Sequence, residues 1–244
     1  VLIADRAALL LLDAEGRRRL SSPSAATVLA GALLTDLVLR GRLDTDPDTG
    51  VLRVRPGVEP EPRLAAALAV VAASSGDPGR SVRALTGRRL WDQAMAALAA
   101  EGVVSVERRR WFLVFSSTRW HPDPVAVDGA RTSVRAAVAA ARKRRGTASV
   151  DPATVSLVAL LAGAGCLWSA VPTPPGGIDS SVAAERLTEA RDLPAEVLEA
   201  LRHIEIAVAT RVHALSAGGS ASDGGSSGSD DGGGSDGGGG GGGD

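Results

Sequence analysis

Residues 88–121, RRLWDQAMAALAAEGVVSVERRRWFLVFSSTRWH, constrain this chain more than any other stretch. They join a helical period, a glycine stop and two β-prone runs. Leu90, Ala94, Leu98 and Glu101 keep helical spacing, and Met95 and Ala97 widen the apolar stripe. Gly102 stands where a helix C-terminus needs a residue free to take positive φ. Residues 103–106 form a short β-branched run, residues 107–110 a charged tip, and residues 111–115 an unbroken apolar strand. Both Phe and three of the four Trp fall in this stretch, and the chain has no Tyr, so nearly all its aromatic surface belongs to one element. No catalytic motif appears anywhere in the sequence. The function is therefore expected to be binding rather than catalysis.

About 215 residues precede the glycine-, serine- and aspartate-rich end, enough for one sizeable core. With aromatics at 2%, that core must be built from Leu, Val and Ala, which suits packed helices. The basic residues number 27, all arginine except Lys143; with the abundant Ala and Gly, this reflects a GC-rich genome. The net charge of −1 hides an asymmetry. Asp223, Asp230, Asp231, Asp236 and Asp244 belong to the tail and leave the body at +4. Residues 80–145 hold 14 basic and 5 acidic side chains, a local excess of +9. Such an excess either forms a solvated face or meets an anionic partner: a phospholipid surface, nucleic acid or an acidic protein.

Cys166 is the single cysteine, lies in an apolar run and reads as a small core residue. The apolar start at Val1 is interrupted at Asp5 and Arg6, so no signal peptide is expected. Residues 155–171 form the longest apolar run; rich in Ala and Gly and broken by two Ser, it reads as a buried helix rather than a membrane span. The expected location is cytoplasmic.

In chain order, residues 2–12 are almost entirely apolar and end in a turn at 13–16, with 17–20 able to return as a strand. Ser21, Ser22 and Ser24 around Pro23 start a helix that carries Val28, Leu29, Leu33, Leu34 and Leu37 to Arg40, where Gly41 stops it. Residues 42–46 and 51–54 flank the turn 47–50 as a hairpin. A linker at 56–62 precedes a helix over 64–73, and 81–86 form one or two helical turns. Helices are predicted over 128–145, from Asp151-Pro152 to about residue 170, over 181–191, and, capped by Asp192, over 194–214. The stripe of that last helix is Val197, Leu198, Leu201, Ile204, Val208 and Val212. The fold class is mostly α: a single globular helical domain over 1–214 with short β-hairpins, followed by a disordered Gly/Ser/Asp tail over 215–244.

His121, His203 and His213 are too far apart for a metal motif, and of the three only His203 has acids nearby in sequence, Glu199 and Glu205. No metal site and no cofactor are expected. The carboxylates Glu185 with Glu189 and Glu196 with Glu199 read as exposed helix faces. Gly163-Ala164-Gly165 follows no strand and makes no phosphate loop. The helix and hairpin of 88–121 admit three roles. They form a structural corner of the core, or a winged-helix element with Arg108, Arg109 and Arg110 as the wing tip, or a docking hairpin. In the last case those arginines face anionic headgroups and Trp111, Phe112 and Phe115 enter the interface.

Three segments together resemble the Golgi phosphoprotein 3 family over most of residues 1–214. Residues 9–16, LLLLDAEG, are similar to its apolar run ending in an acidic-glycine turn. Residues 32–43, ALLTDLVLRGRL, resemble its most specific motif, and 98–104 with 111–115 and His121-Pro122 resemble its glycine-stopped helix and hairpin. The resemblance implies a helical fold docked peripherally on membranes. It also implies binding of anionic phospholipid, phosphatidylinositol 4-phosphate in eukaryotic members, which in addition bind glycosyltransferase tails. The family's lipid-binding tryptophan falls on Ser21, its first arginine on Ala30, and its two further basic residues on Arg88 and Trp91. Arg88, Arg89 and Trp91 are thus the implied lipid-binding residues, and the hairpin the implied site of membrane insertion or self-association. Two other functions stay open: a protein-interaction adaptor that forms homo-oligomers through the hairpin without a lipid, and a winged-helix DNA-binding protein. Sequence-specific nucleic-acid binding is not expected.

Overall fold

The computed structural model describes residues 1–46, 48–87, 89–111, 115–143, 149–172, 179–189 and 193–219, with the backbone alone at 108–111, 115–118 and 218–219. It is 67% helical. The described helices are α1 (Ile3–Leu10), α2 (Ser22–Leu39), α3 (Pro62–Ala73), α4 (Pro78–Thr86), α5 (Leu90–Ala100), α6 (Pro124–Lys143), α7 (Pro152–Gly163), α8 (Leu167–Ala170), α9 (Ser180–Glu189) and α10 (Ala195–Gly219). Two antiparallel hairpins accompany them: β1 (Leu43–Thr45) with β2 (Leu52–Val54), and β3 (Val104–Trp111) with β4 (Phe115–Pro122).

Helix α2 is the centre. Every position from Ser24 to Val38 is buried, because α1, α3, α4, α5, α7 and α10 all pack around it. It is the described helix long and apolar enough to cross a membrane, yet 83% of it is buried inside the fold. Gly31 explains how α10 comes so close: a Cβ there would sit 2.4 Å from Val208 Cγ2. Sequence signals set the ends. Ser21 caps α2, its Oγ accepting the Ser24 N–H, and Asp151 caps α7 by accepting from Ala153 and Thr154, satisfying first-turn donors.

The motif Leu39-Arg40-Gly41-Arg42-Leu43 ends α2 and is structural. Gly41 takes φ 65°, and Arg42 folds over the 56–59 linker, its Nη1 donating to the Pro56 carbonyl at 2.7 Å and its Nη2 to that of Gly57 at 2.5 Å. Behind them the Glu59 carboxylate, 4% exposed, lies 3.8 Å from Arg40 and 3.9 Å from Arg42.

Several expectations need correction. Residues 17–20 do not return as a strand: Arg18 makes one isolated bridge to Leu12, because the Asp13 carboxylate accepts the N–H groups of Glu15 and Arg17 and holds a tight turn. The helix expected from Asp151 to residue 170 is broken, α7 and α8 meeting at Gly165 with φ 67°. Helix α10 runs on to Gly219, beyond the boundary drawn at 214, with Ser216 Oγ donating to the Val212 carbonyl at 3.0 Å. The cap expected at Asp192 lies outside the described residues, as do 220–244.

The largest correction concerns the hairpin. Arg108, Arg109 and Arg110 are not its tip. Strand β3 continues through them to Trp111, pairing them with Thr118, Ser117 and Ser116, and Trp111 faces Phe115. Trp111 and Phe115 thus belong to opposite strands, not to one run, and Phe112 lies outside the described residues. The physical reason is that strand pairing is made by backbone N–H and C=O groups, so a two-stranded ribbon runs through arginine positions as readily as it turns at them.

Candidate anion-binding surface

The residues implied for lipid binding gather at the start of α5. Arg88 lies outside the described residues. Arg89 precedes the helix in the left-handed region, φ 52° and ψ 39°, and is exposed. This conformation costs a non-glycine residue about 1 kcal/mol. Trp91 is 5% exposed and belongs to the core, so its ring does not face solvent as a contact residue would. Ala30, where the family places an arginine, is fully buried within α2 and leaves no room for a cation. Ser21, where the family places a tryptophan, is occupied in capping α2.

What covers Trp91 is Arg18. Its guanidinium carbon stands 5.6 Å from the centre of the Trp91 ring, within cation–π range. Its Nη1 donates to Ser22 Oγ at 2.7 Å. In the sequence Arg18 is marked only by the run Arg17-Arg18-Arg19. The three arginines diverge: Arg19 turns back, its Nε donating to the Leu12 carbonyl at 2.9 Å, while Arg17 and Arg18 are exposed. Gly16 holds this loop against the second hairpin, where an added Cβ would lie 1.8 Å from the Trp120 carbonyl oxygen. Arg18 thereby joins the basic segment from outside it.

The arginines sort by partner. Those of the first third are mostly ion-paired. Arg6 meets Asp151 at 3.4 Å, Arg55 meets Asp44 at 2.7 Å, Arg53 meets Asp46, and Arg63 meets Asp5 at 2.6 Å and Glu61 at 2.9 Å. In the segment from residue 80, Arg80, Arg83, Arg89, Arg135, Arg142 and Lys143 are exposed. None of these six pairs with a carboxylate among the described residues. Arg131 meets Asp128 at 3.9 Å. These six are positive charge left open to solvent, where it attracts anions over roughly one Debye length, about 8–10 Å at physiological salt.

Among the described residues no group of three metal-ligating side chains converges. Burial pushes the Cys166 thiol up to about 12. His203 Nε2 is 3.5 Å from Glu199, and His121 also finds an acid, its Nε2 3.0 Å from Glu107 on the opposite strand. That partner was hidden in the sequence because it depends on register. Glu185, Glu189, Glu196 and Glu199 are exposed, as expected. Glu185 and Glu189 line a shallow groove of about 500 Å³ between α7, α9 and α10, floored by Ala159, Ala162 and Ala209, remote in the chain from the site residues.

The described molecule is therefore a helical protein built on one buried helix, with exposed cations on α4, on α6 and just ahead of α5. The chain belongs to the Golgi phosphoprotein 3 (GPP34) family, whose sequence model matches residues 3–208, from α1 into α10. Among curated proteins none matches the chain.

Proposed function

We propose that this chain is a peripheral membrane protein that binds anionic phospholipid, acting by binding rather than catalysis on the cytoplasmic side of a membrane. The observation that carries this reading is the set of exposed basic side chains at 80, 83, 89, 135, 142 and 143 that have no carboxylate partner among the described residues, whereas Arg6, Arg53, Arg55 and Arg63 are each held by an acid. Each basic residue near an anionic surface contributes about 1 kcal/mol, so several together suffice for reversible docking. Family membership supports the same reading and suggests phosphatidylinositol 4-phosphate as the headgroup. The test is co-sedimentation with neutral, phosphatidylglycerol and phosphatidylinositol 4-phosphate vesicles. Binding to neutral vesicles as strong as to anionic ones would defeat it.

A second reading, an adaptor that self-associates through the hairpin, has one observation in its favour: β3 and β4 form a sheet of their own, separate from the first hairpin, and two-stranded ribbons offer open edges to a second copy. DNA binding has less support. The exposed face of α5 carries Asp92, Gln93 and Ala96, which offer little to a phosphate backbone.

A further inference from the structure

We propose that Arg18, laid on Trp91 and tethered to Ser22, is the side chain that contacts lipid phosphate in this protein, and that it favours a terminal phosphomonoester over a bridging phosphodiester. This rests on the membrane reading above and names the contact within it. Trp91 is too buried to touch a headgroup, but its ring gives the guanidinium a flat support at 5.6 Å. The bond from Nη1 to Ser22 Oγ at 2.7 Å fixes the rotation of the fork. Its partner is a neutral hydroxyl, so the charge is not cancelled by the bond that positions it.

Because Ser22 Oγ accepts from Arg18, its own hydroxyl proton is available to donate. Ser21 differs: its Oγ donates to Ser24 Oγ at 2.9 Å and accepts the Ser24 N–H at 3.4 Å. The remaining guanidinium N–H groups and the Ser22 hydroxyl thus lie side by side at an exposed position. A fork plus a hydroxyl matches the three terminal oxygens and greater charge of a monoester. A diester has two free oxygens and one charge. Stacking also holds the arginine in place before binding, which reduces the ordering cost. Arg17 is a natural control: exposed, equally charged and adjacent, but not stacked on the ring.

The test uses the full chain and phosphatidylcholine vesicles carrying either phosphatidic acid, a monoester, or phosphatidylglycerol, a diester, at matched surface charge. Arg18→Ala should lose about 10-fold on the monoester vesicles and only about 2-fold on the diester ones, while Arg17→Ala loses about 2-fold on both. Arg18→Lys should restore diester binding and not the monoester preference, and Ser22→Ala should narrow that preference without changing diester binding. A merely structural arginine would move both lipids together. If the parent binds neither vesicle, the membrane reading itself fails. If the parent binds but Arg18→Ala and Arg17→Ala behave alike, this inference alone fails. Glycerol phosphate at millimolar concentration should leave the protein on the vesicles; complete release would reassign the site to soluble phosphate and overturn the lipid assignment.

Discussion

The Asp36 carboxylate accepts the backbone N–H of Ile3 at 2.9 Å, tying the first turn of α1 to the last turn of α2 across 33 residues. Burial pushes its pKa from 3.8 to about 6, against the lowering effect of the Ile3 and Ala4 N–H groups. Beside it Asp5 is held by Arg63, with Nη1 at 2.6 Å and Nη2 at 3.3 Å. The start of the fold is thus clamped by two buried acids, Asp5 through a cation and Asp36 through a backbone N–H.

A pH dependence follows. Between about pH 4 and 6 the unfolded chain has lost the Asp36 proton while the folded chain keeps it. Stability therefore falls as pH rises through that window and levels off above about pH 6. A shift of this size corresponds to something on the order of 3 kcal/mol. Asp36→Asn cannot ionise, and its side-chain oxygen still accepts one N–H. In urea unfolding at pH 4.5 and 7, the parent should lose more stability over this interval than the variant. Equal losses would mean that Asp36 is ionised in the folded protein throughout.

Arg89 separates stability from binding. Glycine adopts φ 52° without steric cost, so Arg89→Gly should raise stability by about 1 kcal/mol. The same change removes an exposed cation at the start of α5 and should weaken anionic vesicle binding about 3- to 5-fold. Thermal melting and co-sedimentation on one preparation check both signs. A destabilised variant would show that the arginine side chain, not the backbone, dominates at this position.

The unpaired arginines should outweigh the paired ones. Arg80 and Arg83 point outward from α4 without a described carboxylate partner, so changing both to Ala should weaken vesicle binding roughly 10-fold and leave stability within about 0.5 kcal/mol. Arg53 and Arg55 are held by Asp46 and Asp44. Their double replacement removes the same formal charge but exposes two carboxylates, and it tests whether position or total charge governs docking. Equal losses for both pairs would favour total charge.

Much of the helical framework was legible because it rests on local chemistry. Asp151-Pro152 caps α7 with its own side chain, and Gly102 ends α5 with φ 74° as its place in the sequence demanded. What was not legible depends on partners distant in the chain. Trp91 reads as an aromatic beside two arginines, and only the turn at Asp13 to Gly16 brings Arg18 over it. Val28 to Leu37 read as one apolar stripe because the sequence does not reveal how many helices surround α2. The hairpin register failed for another reason: along 107–115 neither face alternates clearly, so nothing in the pattern fixes the turn.

Gly16 should couple fold to site. An alanine Cβ there would meet the Trp120 carbonyl oxygen at 1.8 Å with φ at 74°. Relief requires the 13–19 loop to leave the hairpin, taking Arg18 from Trp91. Gly16→Ala should cost about 2 kcal/mol and weaken anionic vesicle binding as far as Arg18→Ala does. Urea unfolding with co-sedimentation decides it. A destabilised variant that binds like the parent would show that the loop does not present Arg18 to the membrane.

The hairpin gives the last prediction. Strand β3 packs on α5 near its start, where Val104 is 3% exposed, while by Val106 the exposure is already 40%. The ribbon pairs as far as Trp111 with Phe115, and Phe112 follows Trp111 in the sequence. An apolar residue in a docking hairpin would be covered by the membrane interface or by a second copy. Phe112→Asp should leave helicity and melting unchanged and lower either vesicle binding or self-association. Circular dichroism, co-sedimentation and analytical centrifugation separate the cases. Loss of vesicle binding alone assigns the hairpin to the membrane, and loss of association alone assigns it to a partner copy. An unfolded variant would place Phe112 in the core and remove the hairpin from the docking surface, whereas a variant that folds, binds and associates like the parent would leave the arginines to act without it.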